Sequence, residues 1–296
     1  KELSDTIKLT VTDQVGHFAY FHGIRDYLVE NSYDLFEDDV NASGGGAVDF
    51  RFVAVKSEKA RMFLHDAVAP NPDHDSIGDV VEDRPAATII LNGTFFRMTG
   101  TNTTVGRVIN DYSEISVSAD MTTNDAPQVK GWFGQQKDHD FTGNAPNVEP
   151  TVSTNSPYLD DDLRAAVGGV GALYPTYSGK SISNIIYEIG QEHGDWNDRQ
   201  SAHIGIDNDK QILFVMTTYD ANDNHYDPDI VLHELIQDVV DSGADRIIGV
   251  DGGCSVALAH RDRKGDNLTV KTQGDKHDGW YPARRVNNYV AINLVP

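Results

Sequence analysis

The sequence predicts an α+β fold in which a mixed β-sheet carries the core and helices are few. Two short apolar runs, residues 88–90 and 247–250, each precede a polar residue followed by glycine. Such runs are typical of buried strands, and a polar residue followed by glycine is typical of the turn that ends a strand. A third segment, residues 228–242, has the apolar spacing of an amphipathic helix. Together these observations indicate one strand-rich main domain.

The other elements follow in order along the chain. Residues 49–55 alternate apolar and polar positions, as a half-buried strand does. Residues 70–85 are acidic and contain proline, which predicts a loop. Two segments, 107–117 and 203–217, have the pattern of hairpins, and residues 289–294 predict a last strand.

Two further segments differ in character from these strands. Residues 134–162 are rich in Asn, Asp and Pro without a clear period, which predicts a long surface loop or insertion. Residues 165–173 are small and predict a strand and turn. For the helix, Asp227 suits the N-cap and Gly243 suits the first position after the C-cap. We expect residues 1–48 to form an N-terminal extension and residues 49–296 the main domain.

Composition limits the partners of this protein. The chain of 296 residues has 24 Lys and Arg against 46 Asp and Glu, a formal net charge of −22. Nucleic acid is not expected as a partner because phosphate binding needs a basic surface, and no membrane partner is expected either. The charge favours solubility, in a salty or extracellular setting. An extracellular, cell-surface or virion-associated location is the expectation. The oligomeric state stays open.

Several catalytic motifs are absent from the sequence. The segment from His233 to Gln237 has glutamine where a zinc-protease helix needs its second histidine. The sequence has no dinucleotide fingerprint, phosphate-binding loop or nucleophile elbow. Cys254, the single cysteine, rules out an intrachain disulfide and reads better as a small turn residue than as a nucleophile.

One loop offers a candidate calcium site. Asp220, Asn222 and Asn224 alternate as the first ligands of a calcium loop do. The loop lacks the glycine expected at its sixth place, and Val231 stands at the twelfth place, where an acid is expected. A plain acidic loop is the favoured interpretation, and Ca²⁺ is kept as the one cofactor the ligands would suit.

An ordered set of short motifs resembles the phosphodiester glycosidase family. The matching segments are Asn92–Phe96, the glycine-rich turn 166–169, His203–Ile206, Glu234-Leu235, Asp251–Ser255 and Arg284–Asn288. The resemblance covers about residues 85–296 and rests on the order of the motifs rather than on any one of them. It implies a phosphodiester-glycosidase-like fold and a hydrolase acting on a sugar-1-phosphodiester or a related glycosidic bond in a glycan or a wall or capsule polymer.

Three positions depart from the family pattern. Thr94 stands where the family usually has glycine, and Cys254 replaces the third glycine of the second turn. The family's arginine would fall at position 201, where this chain has Ser201, with Arg199 two places earlier. If that arginine binds the substrate phosphate in the family, this chain either uses Arg199 after a shift or acts on something else.

The resemblance implies a set of site residues. Asp251 is the first catalytic candidate and Glu234 the second, because such hydrolysis needs a carboxylate to activate water or stabilise positive charge. The implied substrate-binding residues are Asn92, Gly93, Gly252, Gly253, Ser255, Arg284, Arg199 and His203. No cofactor is required by this chemistry. The competing explanation for Asn92 and Asp251 is turn formation, which both residue types favour.

Two other functions remain open from the sequence. A non-catalytic carbohydrate-binding or virion structural module would keep the same fold without the arginine at 201. A calcium-dependent glycan binder would use the loop that begins at Asp220. The enzyme is favoured because both polar turns fit a single family pattern.

Overall fold

A computed structural model describes the parts of the chain that form its two sheets. The described residues are 35–41, 48–66, 75–94, 107–111, 113–117, 131–144, 163–174, 201–209, 211–220, 246–252, 255–261, 267–273 and 286–296. The helix expected at residues 228–242 lies outside them.

Among the described residues, the larger of the two sheets has ten strands. They are β1 (Leu35–Asn41), β2 (Val48–Lys56), β5 (Arg107–Asn110), β6 (Ser113–Val117), β7 (Gly131–Gln136), β8 (Phe141–Asn144), β9 (Leu163–Tyr174), β10 (Ser201–Asp207), β11 (Ile212–Asp220) and β12 (Arg246–Gly249). Their order is β1-β2-β11-β10-β12-β9-β5-β6, and β7 pairs with both β8 and β9.

The smaller sheet has five strands in the part of the chain that the structure describes. They are β3 (Ala60–Asp66), β4 (Ile89–Asn92), β13 (Ala257–Arg261), β14 (Leu268–Gln273) and β15 (Asn288–Leu294). The order is β14-β13-β4-β15-β3, so β4 and β15 lie inside the sheet and β3 at one edge. A one-turn 3-10 helix, Ser57–Lys59, connects β2 of the large sheet to β3 of the small one.

The expectation of a mixed sheet is wrong for the described residues, where the paired strands are all antiparallel. The two expected hairpins are confirmed as β5–β6 and β10–β11. Short turns join these strands, and a short turn permits only antiparallel neighbours, since a parallel pair needs a crossover of a dozen residues or more.

The two sheets pack face to face around one apolar core. Side chains of Ile204 and Val215 from the large sheet and of Leu91 and Val290 from the small sheet belong to the same buried cluster. These residues alternate with others that point away from the core, as the two-residue period of a strand requires. The protein is therefore a β-sandwich, and mostly β is a better description than α+β.

A short helix covers the outer face of the small sheet. This helix, α1 (Ile77–Asp83), begins with a capping box in which Ser76 accepts from the backbone of Asp79 and the Asp79 side chain accepts from the backbone of Ser76. Its buried residues Ile77 and Val80 pack with Ile90 and Tyr289 of the sheet. The prediction of a loop over 70–85 was wrong here, because apolar residues in a seven-residue helix are too few to show a period.

A second correction concerns residues 134–162, which the sequence predicts to be a surface loop. Strands β7 and β8 occupy the described part of that region and form a hairpin. Phe133 and Phe141 stack at 5.8 Å between ring centroids and belong to the shared core. His139 takes the left-handed backbone conformation, φ 81°, in the turn between the two strands. The loop prediction is wrong here because the many polar residues of this hairpin outweigh its two core aromatic residues in the sequence pattern.

Strand β1 falls within the expected N-terminal extension. It pairs with β2 along its whole length, from Leu35 opposite Val55 to Asn41 opposite Asp49. The described part of the extension therefore belongs to the large sheet, while the domain boundary at residue 48 stays a prediction. Among the described residues, no helix is long and apolar enough to span a membrane.

Carboxamide side chains from the large sheet seal the edge strand β3. The Gln135 Oε1 atom accepts from the Met62 N–H at 2.8 Å, and its Nε2 donates to the carbonyl oxygens of Ala60 at 2.8 Å and His139 at 2.9 Å. Further along β3, the Leu64 N–H donates to Oδ1 of Asn110 at 3.2 Å. An unpaired strand edge leaves backbone groups without partners. Here two side chains take the place of a neighbouring strand.

We predict that Gln135→Leu lowers the free energy of unfolding by about 1–3 kcal/mol, because the buried Met62 N–H loses its partner. The Ala60 carbonyl loses one of two donors and keeps Arg61 Nη1. Urea denaturation measures this change. Lys137→Ala, at an exposed position of the same hairpin, is the control and should change stability by less than about 0.5 kcal/mol. Equal stability of Gln135→Leu and wild type would contradict the proposed edge seal.

Candidate functional site

Strand ends from both sheets meet at one end of the sandwich. In the small sheet, β4 ends at Asn92, which lies opposite Tyr289, the second residue of β15. In the large sheet, the end of β12 lies beside the start of β10, since the Val250 N–H donates to the Ala202 carbonyl at 2.9 Å. The turn at Asn92 and the turn at Asp251 therefore come together, as the sequence predicts.

The Asn92 side chain joins the two turns directly. Its Nδ2 donates to the backbone carbonyl of Asp251 at 2.6 Å, and its Oδ1 accepts from the Ala257 N–H at 3.0 Å. The side chain is 0% exposed. Asn92 is predicted to contact substrate, but this geometry directs both ends of the amide to the protein backbone. Its position therefore suits a residue that holds the turns rather than one that contacts a ligand.

Gly93 lies between the two sheets in a tightly enclosed position. Its N–H donates to the Asn288 carbonyl at 2.9 Å, and its own carbonyl accepts from the Asp251 N–H at 3.0 Å. A Cβ added to Gly93 would lie 1.7 Å from Oδ1 of Asn288. The backbone of Gly93 is not left-handed. Glycine is needed here because the Asn288 side chain approaches closely, and not because the turn requires a positive φ. Contact of Gly93 with substrate stays a prediction.

Asp251 presents a half-buried carboxylate at this junction. Its Oδ1 accepts from the N–H of Gly252 at 3.0 Å, which orients the carboxylate relative to the turn. The turn continues with Ser255, whose N–H donates to the Gly252 carbonyl at 3.2 Å and whose side chain is buried. A carboxylate that is partly exposed and fixed in orientation can accept a proton from water or stabilise positive charge on a bound substrate.

His203 is not available as a proton donor at neutral pH. It lies on β10 opposite Gly249 and is 1% exposed. Burial lowers the pKa of His203 from its ordinary value of 6.5 to about 3. The imidazole is therefore neutral at pH 7. A role as an acid does not fit this environment, and the side chain belongs to the interior of the protein next to the site.

The remaining predicted site residues divide by where they fall in the chain. Those outside the described residues are Glu234, Gly253, Arg284, Arg199, Asn222 and Asn224. Asp220 is the last residue of β11, two residues past Thr218, which pairs with Ser201 at the start of β10. It therefore lies at the same end of the large sheet as Asp251. The calcium site that begins at Asp220 stays a prediction.

In the described part of the chain, one group of side chains has the composition of a metal site. His65, Asp75 and Asp83 offer ligand atoms within 4.8 Å of one another. His65 Nε2 lies 2.8 Å from Asp75 Oδ2, and Arg84 Nε donates to His65 Nδ1 at 3.3 Å. The second bond places the imidazole proton on Nε2. A metal on Nε2 would move that proton to Nδ1, where it would face the Arg84 N–H, so the group suits a hydrogen bond from His65 Nε2 to Asp75 better than a metal.

Asn288 is the main functional candidate that the sequence reasoning left out. It is the first residue of β15, and its Oδ1 accepts from the Thr94 N–H at 2.9 Å. Thr94, one of the departures from the family pattern, is buried and takes part through its backbone. Asn288 could have been identified from the sequence, because it lies in the segment 284–288 that resembles a family motif.

Comparisons with known proteins agree with this geometry. A family model described as phosphodiester glycosidase matches residues 86–293. A search of curated proteins finds no match. Zebrafish N-acetylglucosamine-1-phosphodiester alpha-N-acetylglucosaminidase, whose catalytic domain was solved auto-inhibited by its pro-peptide, is 14% identical with a TM-score of 0.57, over 88% of this chain and 82% of that one.

Two further solved structures are similar. A hypothetical protein from Synechocystis is 12% identical with a TM-score of 0.54, over 88% of this chain and 61% of that one. A protein from Burkholderia pseudomallei, named as exported, is 11% identical with a TM-score of 0.52, over 85% of this chain and 74% of that one. At these identities the likeness concerns the fold alone.

We predict that Asn92→Leu lowers the free energy of unfolding by about 2–5 kcal/mol, because the Asp251 carbonyl and the Ala257 N–H both lose a buried partner. Denaturant titration measures the loss. Asn293→Leu, a half-exposed position in the small sheet, is the matched control and should cost under about 1 kcal/mol. Similar losses in both variants would contradict the role given to the Asn92 amide.

We predict that His203 makes the protein less stable in acid. Because its folded pKa of about 3 lies below the ordinary 6.5, the unfolded chain takes up a proton that the folded chain does not. The free energy of unfolding should fall by up to about 1.4 kcal/mol per pH unit as the pH drops from about 6.5 to 3.

The variant His203→Met lacks this titration. The difference in stability between it and wild type, measured by urea denaturation from pH 7 to pH 4, cancels the contribution of carboxylates common to both. The free energy of unfolding of His203→Met should rise relative to that of wild type as the pH is lowered. Parallel curves for the two proteins would show that His203 does not titrate as its burial demands.

Proposed function

We propose that this chain, which belongs to the phosphodiester glycosidase family, hydrolyses a sugar-1-phosphodiester or a related glycosidic bond in a glycan or a wall or capsule polymer. The family model covers residues 86–293, so it includes both polar turns and the last strand. Family membership supports a glycosidase. The particular bond and polymer are the proposal.

One observation carries the proposal most directly, and it is the joint between the two turns. Asn92 and Gly93 bind the backbone of Asp251 from the small sheet, through the Asp251 carbonyl and N–H respectively. The Asp251 carboxylate is therefore fixed at a junction of two sheets while it stays partly exposed. A carboxylate held in place at a strand end by a rigid framework suits hydrolytic catalysis, which depends on the positioning of its groups.

The proposed reaction proceeds at the anomeric carbon. Water attacks this carbon, the bond from the carbon to the phosphate oxygen breaks, and the phosphomonoester leaves with the bonding electrons. Asp251 accepts the proton of the attacking water or stabilises the oxocarbenium character of the transition state. Glu234 is proposed as a second carboxylate, as a base or a structural partner. A phosphate leaving group needs less help from an acid than an alcohol does, which fits a neutral His203.

The substrate's phosphate needs cationic partners in this protein. The net charge of −22 repels an anion at long range, so local positive groups must offset it. We propose Arg284 and Arg199, because a guanidinium can bind phosphate through two parallel hydrogen bonds. Backbone N–H groups around Gly252 and Gly253, with the Ser255 hydroxyl, are proposed as further donors. Such glycans lie outside cells, so an extracellular, cell-surface or virion-associated location belongs to the proposal.

The observation that favours a different function is Ser201. The position starts β10, and the next residue, Ala202, bonds to Val250 directly before Asp251. An arginine at 201, as the family resemblance implies, would therefore stand close to the proposed carboxylate. Its replacement by serine favours a second candidate, a carbohydrate-binding or virion structural module that binds the glycan without cleaving it.

We predict that Asp251→Asn lowers kcat for release of free sugar from a glycosyl-1-phosphodiester by about 10²–10⁴-fold, because the amide cannot accept the proton. The new Oδ1 can still accept from the Gly252 N–H, so the turn and the affinity for substrate should persist. Release of free sugar measures kcat, and isothermal titration with the uncleaved substrate measures affinity.

The control for this test is Asp209→Asn, an exposed aspartate in the β10–β11 turn, which should keep full activity. Full activity of Asp251→Asn would remove Asp251 from the mechanism. A panel of sugar phosphodiesters and bacterial wall polymers separates the two candidate functions. Binding of a glycan without release of sugar from any member of the panel would favour the binding module.

A further inference from the structure

We infer that Asn288 is a positioning residue that holds Asp251 in place through the backbone of Gly93. The inference rests on the proposed function for the chemical role of Asp251, while the mechanical coupling is a property of the fold. In the part of the chain that the structure describes, the Asn288 side chain bonds to Thr94 rather than to Asp251, so its action on Asp251 is indirect. The chain of contacts runs from the Asn288 side chain to the turn at Gly93 and then to the Asp251 turn.

The backbone supplies the first step of this coupling. Gly93 donates its N–H to the Asn288 carbonyl at 2.9 Å and accepts from the Asp251 N–H at 3.0 Å. One residue of the small sheet is therefore bonded on one side to β15 and on the other side to the turn that carries the proposed carboxylate. A displacement of Gly93 away from Asn288 therefore also displaces the carbonyl that accepts from the Asp251 N–H.

The Asn288 side chain supplies the second step. Its Oδ1 accepts from the Thr94 N–H at 2.9 Å and occupies the place where any side chain at position 93 would begin. The backbone carbonyl and the side-chain oxygen of Asn288 together bind two consecutive N–H groups, those of Gly93 and Thr94. Two such bonds fix the direction of the turn as well as its distance from β15.

The burial of Asn288 makes this arrangement rigid. Asn288 is two residues from Val290 on β15, so both lie on the face of the small sheet that packs against the large sheet. The residue is 1% exposed. A side chain enclosed between two sheets has little freedom to change rotamer, because protein interiors are closely packed. The position of Oδ1 is therefore set by the sandwich as a whole.

The other end of the Asn288 amide argues against a purely stabilising role. In the part of the chain that the structure describes, Nδ2 of Asn288 is buried and has no hydrogen-bond partner, and the same is true of the Ser255 Oγ. Buried polar groups without partners destabilise a protein and are uncommon, and they occur at functional sites. Two of them close to one junction indicate that the geometry of the junction, rather than its stability, accounts for these residues.

Amide hydrogen exchange tests the coupling in Asn288→Ala. We expect the amides of Thr94 and Asp251 to exchange at least about tenfold faster than in wild type. The Thr94 amide loses its acceptor, and the Asp251 amide loses its bond when its acceptor, the Gly93 carbonyl, is displaced. The amide of Val250, which bonds to Ala202 within the large sheet, should change by less than about threefold. Unchanged exchange at Asp251 would overturn the inference.

An activity measurement separates positioning from folding. At a temperature where every variant is fully folded by circular dichroism, Asn288→Ala should lower kcat by about 10–100-fold and change KM by less than about threefold. Asn293→Ala, on the same strand, is the matched control and should keep wild-type values. Wild-type kcat in folded Asn288→Ala would overturn the inference. Absence of sugar release by wild type would count against the proposed function alone, since the exchange result still decides the coupling.

A second variant covers the case in which Asn288→Ala does not fold. Asn288→Asp keeps an oxygen for the Thr94 N–H and nearly the same shape, while it removes the unpaired donor. We expect the Asp251 amide in this variant to stay within about threefold of wild-type exchange. Fast exchange at Asp251 with Thr94 still protected would show that the two turns are not coupled through Gly93, and would overturn the inference.

Discussion

A buried carboxamide at position 92 joins the two sheets of this protein. The amide belongs to the small sheet, yet its Nδ2 binds the turn that follows a strand of the large sheet. Because it is wholly enclosed, each of its polar atoms needs a protein partner, and both have one. The requirement for pairing is what fixes the second turn at a defined distance from the first. The candidate site depends on this joint, since the proposed carboxylate is carried by the turn that it holds.

The same device recurs elsewhere in the sandwich. Gln135 binds two backbone groups of the edge strand β3, Asn110 binds a third, and Asn288 binds the Thr94 N–H beside β15. In each case a carboxamide satisfies backbone groups that have no neighbouring strand. An amide side chain carries the same donor and acceptor as a peptide group, so it can end or extend a ladder where the strands diverge. Two antiparallel sheets with many strand ends need such terminations at several places.

The sequence predicted the convergence of the two turns because strand ends and polar-glycine pairs leave local patterns. It did not predict the role of Asn92 or the reason for Gly93, since both depend on which way a side chain points and on partners more than 150 positions away in the sequence. The contribution of Gln135 has no periodic signature at all. The short helix α1 did carry a signal, its Ser76-to-Asp79 capping box, but seven residues are too few to show an apolar face. Strand ends, turns and helix caps could therefore be predicted from the sequence, whereas contacts between residues far apart in the chain could not.

The burial of Asn92 also changes what a match to the family motif means. Asn92, the first residue of the family motif in this turn, is buried and binds the protein backbone. A match to the motif therefore indicates that the two sheets are joined here. Under the proposed function, substrate choice would then come from side chains around the joint, where this chain has Ser201 in place of the family's arginine. A fold does not by itself determine an activity, so the reaction has to be argued from the residues around this joint. Under the proposed function, the joint positions the carboxylate, and the departure from the family pattern at Ser201 would alter how the leaving group is held.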